Sequence, residues 1–78
     1  MKVWIEIDCD GAAFDEDAGG EVERILREAA RAFRNSGCTA PDAVRSWLTR
    51  DPMKLRDVNG NTVGKVTVDA DAPQEVRP

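Results

Sequence analysis

Histidine is absent from all 78 residues of this chain. That absence removes imidazole general bases and His-ligated metal centres together. Cysteine is nearly as scarce: Cys9 and Cys38 are the only two, so at most one disulfide is available. Neither has neighbours that would mark a nucleophile, and no glycine-rich phosphate loop occurs. No apolar run approaches the ~20 residues that a membrane helix requires, and no basic-then-apolar signal pattern opens the chain. The expected setting is the cytoplasm, where both cysteines stay as free thiols. Basic residues are missing from one long stretch in particular, since no Lys or Arg lies between Lys2 and Arg24.

What the chain does contain is a globular composition, 41% apolar and 33% charged, unlike that of a disordered acidic tail. Its length fits one domain and excludes a two-lobed enzyme; folding at this size buries only roughly 60% of the unfolded surface. The net charge of −4 conceals segregation. Residues 5–23 carry eight acids, Glu6, Asp8, Asp10, Asp15, Glu16, Asp17, Glu21 and Glu23, and no base, a local charge of −8. Residues 24–56 hold eight bases against three acids, a local charge of +5. Such asymmetry steers charged partners and sets association rates, and it says nothing about fold.

Hydrophobic periodicity organises the rest. Lys2 to Cys9 alternates, with Val3, Ile5, Ile7 and Cys9 expected to pack inward and Lys2, Trp4, Glu6 and Asp8 to face solvent. Trp4 is the apolar exception on that outer face, and cover by the second helix is the expectation. Asp10-Gly11 breaks the strand, and Phe14 is expected to pin the following loop to the core. Asp17 is the expected N-cap of a helix spanning Glu21 to Arg34, whose apolar side is Val22, Ile25, Leu26, Ala29 and Phe33. Its other side carries Arg24, Arg27, Arg31 and Arg34, with ion pairs expected for Glu23–Arg27 and Glu28–Arg31.

Pro41 to Arg50 forms a second, shorter helix capped by Thr39 or Ala40, with Val44, Trp47 and Leu48 on one face and Trp47 expected in the core. Met53–Val58 and Thr62–Val68 flank Asn59-Gly60, a hairpin signature, and Gly64 marks a candidate bulge. The resulting order, strand, helix, helix, strand, strand, predicts an α+β fold with a three-stranded antiparallel sheet in the order 1-3-2. The expected domain is residues 1–70, with 71–78 a frayed tail.

Two motifs invite chemistry and fail their own tests. Asp8-Cys9-Asp10-Gly11 after a strand resembles the nucleophile motif of haloacid-dehalogenase-type phosphatases, but the chain is too short for that parallel-sheet domain and lacks its other motifs. Asp15-x-Asp17 and Asp57-x-Asn59-x-Asn61 resemble the opening of an EF-hand loop, yet Leu26 and Val68 occupy the twelfth positions, where a bidentate Glu is required. Neither an enzyme nor a cofactor or metal is expected. The candidate contact set is the eight acids, of which Asp15, Asp17 and Glu21 are also explained by the attraction of carboxylates to a helix start.

Three stretches, I-E-I-D-C-D-G-A-A-F, E-V-E-R-I-L-R and L-R-D-V-N-G-N-T-V-G, about a third of the chain together, resemble a group of small acidic phage and mobile-element proteins. Gly11 stands where that group often has Asn, and the Pro41–Arg50 helix looks like an insertion. Within this class the chain is most similar to anti-CRISPR inhibitors of type I systems such as type I-C. That resemblance implies a monomeric DNA mimic that occupies the basic nucleic-acid channel of a host CRISPR-Cas complex, with no membrane and no direct nucleic-acid contact. The alternative from the residues is a phage accessory or structural protein that binds nucleic acid or protein through the arginine-striped helix.

Overall fold

In the computed structural model, which describes residues 1–68, β1 (Val3–Ile7) leads through a single 3-10 turn at Ala12–Phe14 into α1 (Ala18–Asn35). Then come α2 (Pro41–Arg50), β2 (Met53–Arg56) and β3 (Thr62–Val68). The sheet is antiparallel throughout, in the order β1-β3-β2. The fold is α+β, with the sheet order that the hydrophobic pattern predicts. The expected end of the domain at residue 70 and the frayed tail lie outside the described residues.

Pairing sets which side chains share a face. Val3, Ile5 and Ile7 stand opposite Val68, Val66 and Gly64, while Met53 and Leu55 stand opposite Val66 and Gly64. Directly paired residues point to the same side of a sheet, so these form one apolar face. Phe14, Ile25, Ala29 and Leu48 close over it and build a core with Leu55, Val66 and Val68. Phe14 pins its loop as expected. Phe33 of α1 meets Trp47 of α2 edge to face, with ring centroids 5.4 Å apart. Pro41 opens α2 behind Ala40, which makes no side-chain cap bond, so this ten-residue helix depends on docking for its stability.

The cover is uneven. α1 lies against β2 and α2 against β3, which leaves the lateral strand β1 under-roofed: Val3 is 40% and Ile5 48% exposed. Cys9, expected to pack, is exposed because the strand ends two residues before it, at Ile7. Trp4 is not covered by α2. It projects from the face opposite the helices, paired with the buried Thr67, and stays 38% exposed.

The hairpin connection is wider than the sequence implies. β2 stops at Arg56, and the turn is Asp57–Asn61. Asp57 O accepts from Gly60 N (2.9 Å), and within the turn Gly60 alone has a positive φ, 88°. This is the three-residue hairpin loop ending in a left-handed glycine, whereas a two-residue type I′ turn would also need Asn59 at positive φ. The buried Asp57 carboxylate accepts from Asn59 N and Asn61 N, each at 2.9 Å, so this acid completes a turn as its sequence context implied. The expected bulge is present: the β2–β3 register shifts between Leu55 and Arg56, opposite Gly64–Thr62.

Candidate functional site: an acidic strand end and loop

Position along the fold divides the eight candidate acids into four groups. Glu6 lies within β1, Asp8 and Asp10 lie just beyond it, and Asp15, Glu16 and Asp17 immediately precede α1; all six are exposed. Glu21 is buried and Glu23 is engaged along the helix.

The exposed loop is anchored at intervals. Asp8 N donates to Val63 O at 2.7 Å, tying the end of β1 to β3. Asp8 Oδ1 accepts from Asp10 N at 3.1 Å, an Asx turn that bends the chain away from the sheet. Phe14 is buried, and Asp17 Oδ1 accepts from Gly20 N at 3.0 Å as the N-cap. Asp8, Asp10, Asp15, Glu16 and Asp17 therefore sit on a backbone fixed at both ends and in the middle. Preorganised charge of this kind loses little conformational entropy on binding.

Glu6 has a different environment. Lys65 stands directly opposite it, and Lys54 stands opposite Lys65, so the open sheet face mixes signs where the strand alone looked purely acidic. A shallow depression there is lined by Glu6, Asp8, Lys54 and Lys65.

Glu21 belongs to the scaffold. Arg24 Nε and Nη2 donate to its two oxygens at 2.9 Å each, and Val58 N donates to Oε2 at 2.8 Å. Arg24 Nη2 also donates to Arg56 O at 3.0 Å, and Nη1 to Glu28 Oε2 at 2.9 Å. This polar clasp fastens the first turns of α1 to the hairpin. Glu28 is thereby committed to Arg24, not to Arg31 as expected, because Arg24 can reach both carboxylates on one helix face while bonding Arg56. Glu23–Arg27 forms as expected, at 2.7 Å. Nothing local in the sequence announces the clasp, since Val58 lies 37 residues from Glu21.

The hydrogen bonds from Arg24 hold the Glu21 carboxyl below its ordinary value of 4.5; burial opposes this, and the Val58 amide reinforces it. A carboxyl whose folded-state pKa is depressed adds stability that is full above the unfolded value and is lost as pH falls through the folded one. Glu21→Gln is therefore expected to lower the thermal midpoint at pH 7, and the gap from wild type is expected to narrow as pH drops below 4.5. Circular-dichroism melts at pH 7 and pH 3 check this; a gap that widens in acid would contradict the clasp.

The arginine stripe is also thinned. Arg24 is drawn into the clasp and Arg27 is paired with Glu23, leaving Arg31 and Arg34 exposed at the far end of α1. Among the described residues no group of three or more Cys, Asp or Glu side chains is placed to hold a metal ion, and no helix is long and apolar enough to cross a membrane. Comparison with protein families, curated proteins and solved structures finds no match to this chain.

Proposed function

We propose that this protein is an inhibitor that acts by binding, presenting Asp8, Asp10, Asp15, Glu16 and Asp17, with Glu6 at their margin, to a basic nucleic-acid-binding surface on a partner protein. The observation that carries this reading is the anchored loop: five exposed carboxylates on a backbone secured by the Asp8–Val63 bond, buried Phe14 and the Asp17 cap. Carboxylates held in this way can oppose lysines and arginines that ordinarily neutralise phosphates. The resemblance of the β1, α1 and hairpin sequences to anti-CRISPR proteins supplies the target class, the surveillance complex of a type I CRISPR-Cas system. Glu21 and Glu23 leave the contact set, the first buried in the clasp and the second paired with Arg27.

The arginine-helix alternative has less to work with. Two of its four guanidinium groups are committed to carboxylates of the same helix, and the −8 segment adjoins the start of that helix and repels a duplex.

The quadruple variant Asp8→Lys, Asp10→Lys, Asp15→Lys, Glu16→Lys tests the reading in a binding assay against purified type I-C complex and in a phage-interference assay. Wild type is expected to bind more weakly as salt rises. The variant, with an unchanged circular-dichroism spectrum, is expected to bind at least about a hundredfold more weakly, the scale set by several lost charge pairs. Inhibition that survives reversal in a folded variant would discard the proposal.

A further inference from the structure

The sheet has two lateral strands, and they are treated differently. β2 spans only four residues, Met53–Arg56, follows Pro52 and carries Lys54 and Arg56; its register is broken at Leu55/Arg56, and α1 lies over it. Short length, basic side chains and irregular pairing are the usual devices that prevent a sheet edge from recruiting another strand. β1 has none of them. Its helix-side residues are all apolar, and Val3 and Ile5 remain 40% and 48% exposed.

The hydrogen-bond phase of β1 is known from one contact. Asp8 N donates to Val63 O, so in an antiparallel ladder the amides and carbonyls of Trp4, Glu6 and Asp8 face β3. Those of Val3, Ile5 and Ile7 then face outward, where no strand pairs with them among the described residues. The outer edge thus offers the amides of Val3, Ile5 and Ile7 and the carbonyls of Val3 and Ile5, with Ile7 O in addition accepting from the Cys9 thiol at 3.8 Å, in register with an apolar row on one side and Trp4, Glu6 and Asp8 on the other.

The geometry points to β-strand addition at this edge by an extended segment of a partner protein in which apolar and basic residues alternate. This deepens the proposed function and rests on it, because the segment's basic residues belong to the surface that the acidic loop recognises. The segment runs antiparallel to β1, extending the sheet's own pattern. Its apolar residues lie opposite Val3, Ile5 and Ile7, and its lysines or arginines lie opposite Glu6 and Asp8, with a cation over Trp4 as a further contact. Charge selects against a second copy as occupant, since pairing two β1 edges would bring two −8 segments side by side.

The phase also fixes which backbone groups of the segment matter. In antiparallel addition a residue opposite Ile5 turns its own amide toward β1, so the apolar residues of the segment make the hydrogen bonds and its basic residues do not. The probe is a synthetic octapeptide alternating lysine and valine, titrated into the 15N-labelled protein at low salt. Three modified forms accompany it: valine amides N-methylated, lysine amides N-methylated, and the same composition with lysines and valines in separate blocks.

The unmodified peptide is expected to shift and protect the Val3, Ile5 and Ile7 amides. Valine methylation and block order are each expected to weaken binding by at least about tenfold, the loss of one or two hydrogen bonds, while lysine methylation leaves it within about twofold. Ile5→Lys, at a half-exposed site that keeps the fold, is expected to weaken binding of the unmodified peptide similarly. Equal affinity of all four peptides, with binding still abolished by the quadruple charge reversal, would retain the charge reading and overturn strand addition. Strand addition is also overturned by no binding at millimolar peptide, by shifts confined to β2, or by a protein that self-associates through protected β1 amides.

Discussion

Leu48→Ala is expected to bring this domain close to unfolding at room temperature. Leu48 is fully buried, joining α2 to a core that contains Val66, Val68 and Leu55. Truncating a buried leucine costs about 2–5 kcal/mol, through lost transfer energy and the cavity left behind. A chain of this size has roughly 4–12 kcal/mol in total at typical stability per residue. The loss is compounded at α2, which has no side-chain cap and is held to the sheet mainly by Leu48, with Trp47 on Phe33 beside it. At about 4–8 °C per kcal/mol, a melting midpoint lower by at least about 8 °C is expected. Leu48→Met, which conserves volume, is expected to cost less than about 1.5 kcal/mol. Thermal melts followed by circular dichroism check both variants; a Leu48→Ala protein that melts with wild type would mean that α2 does not carry the core.

The second large effect is expected from Gly64→Ala. Gly64 sits opposite Ile7 on one side and Leu55 on the other. A Cβ there would collide with the Glu6 carbonyl oxygen and stand 3.0 Å from Ile7 Cα. Both obstacles are backbone, so no rotamer change relieves them and β1 has to move away from β3. Overpacking of this kind costs about 1–3 kcal/mol, and more where the obstacle cannot yield. The damage is directional: hydrogen exchange is expected to accelerate at Trp4, Glu6 and Asp8, whose amides face β3, and to change little in α1. Loss of the Asp8 anchor also frees the acidic loop, so partner binding is expected to weaken with every carboxylate still present. Uniform loss of protection across the domain would show instead that β1 unfolds only with the whole.

How much of this was legible beforehand depended on the range of the interaction. Element order, the 1-3-2 sheet, the Asp17 cap, the start of α2 at Pro41 and the pinning role of Phe14 follow from periodicity and local hydrogen bonding, which a linear sequence displays. Alternation in β1 correctly assigns Val3, Ile5 and Ile7 to one face, but parity carries no information about how far sideways the helices reach. Val3 and Ile5 are exposed for that reason, and Trp4 because both helices lie on the other face of the sheet. At the candidate acids, what the sequence does not display is the partners that come from distant segments. Glu21 looks like a helix-start carboxylate until Val58 closes on it, and Glu6 looks like part of an acidic row until the sheet sets Lys65 beside it.

The β1–β3 pairing has a consequence for the order in which the molecule assembles. β2 and β3 are joined by a five-residue turn, and the two helices are local, whereas Val3 finds Val68 only across almost the whole described chain. Closing a longer loop costs more entropy, which must be lost before the contact returns anything. The hairpin and α1, fastened by Glu21, are therefore expected to form first, with β1 docking last along β3. The strand that arrives last is the first to leave in partial opening. Amide exchange should find β1 and the acidic loop in one low-energy opening unit while the hairpin stays closed. A protease that cuts near Asp10 under native conditions should leave the α1–hairpin body intact.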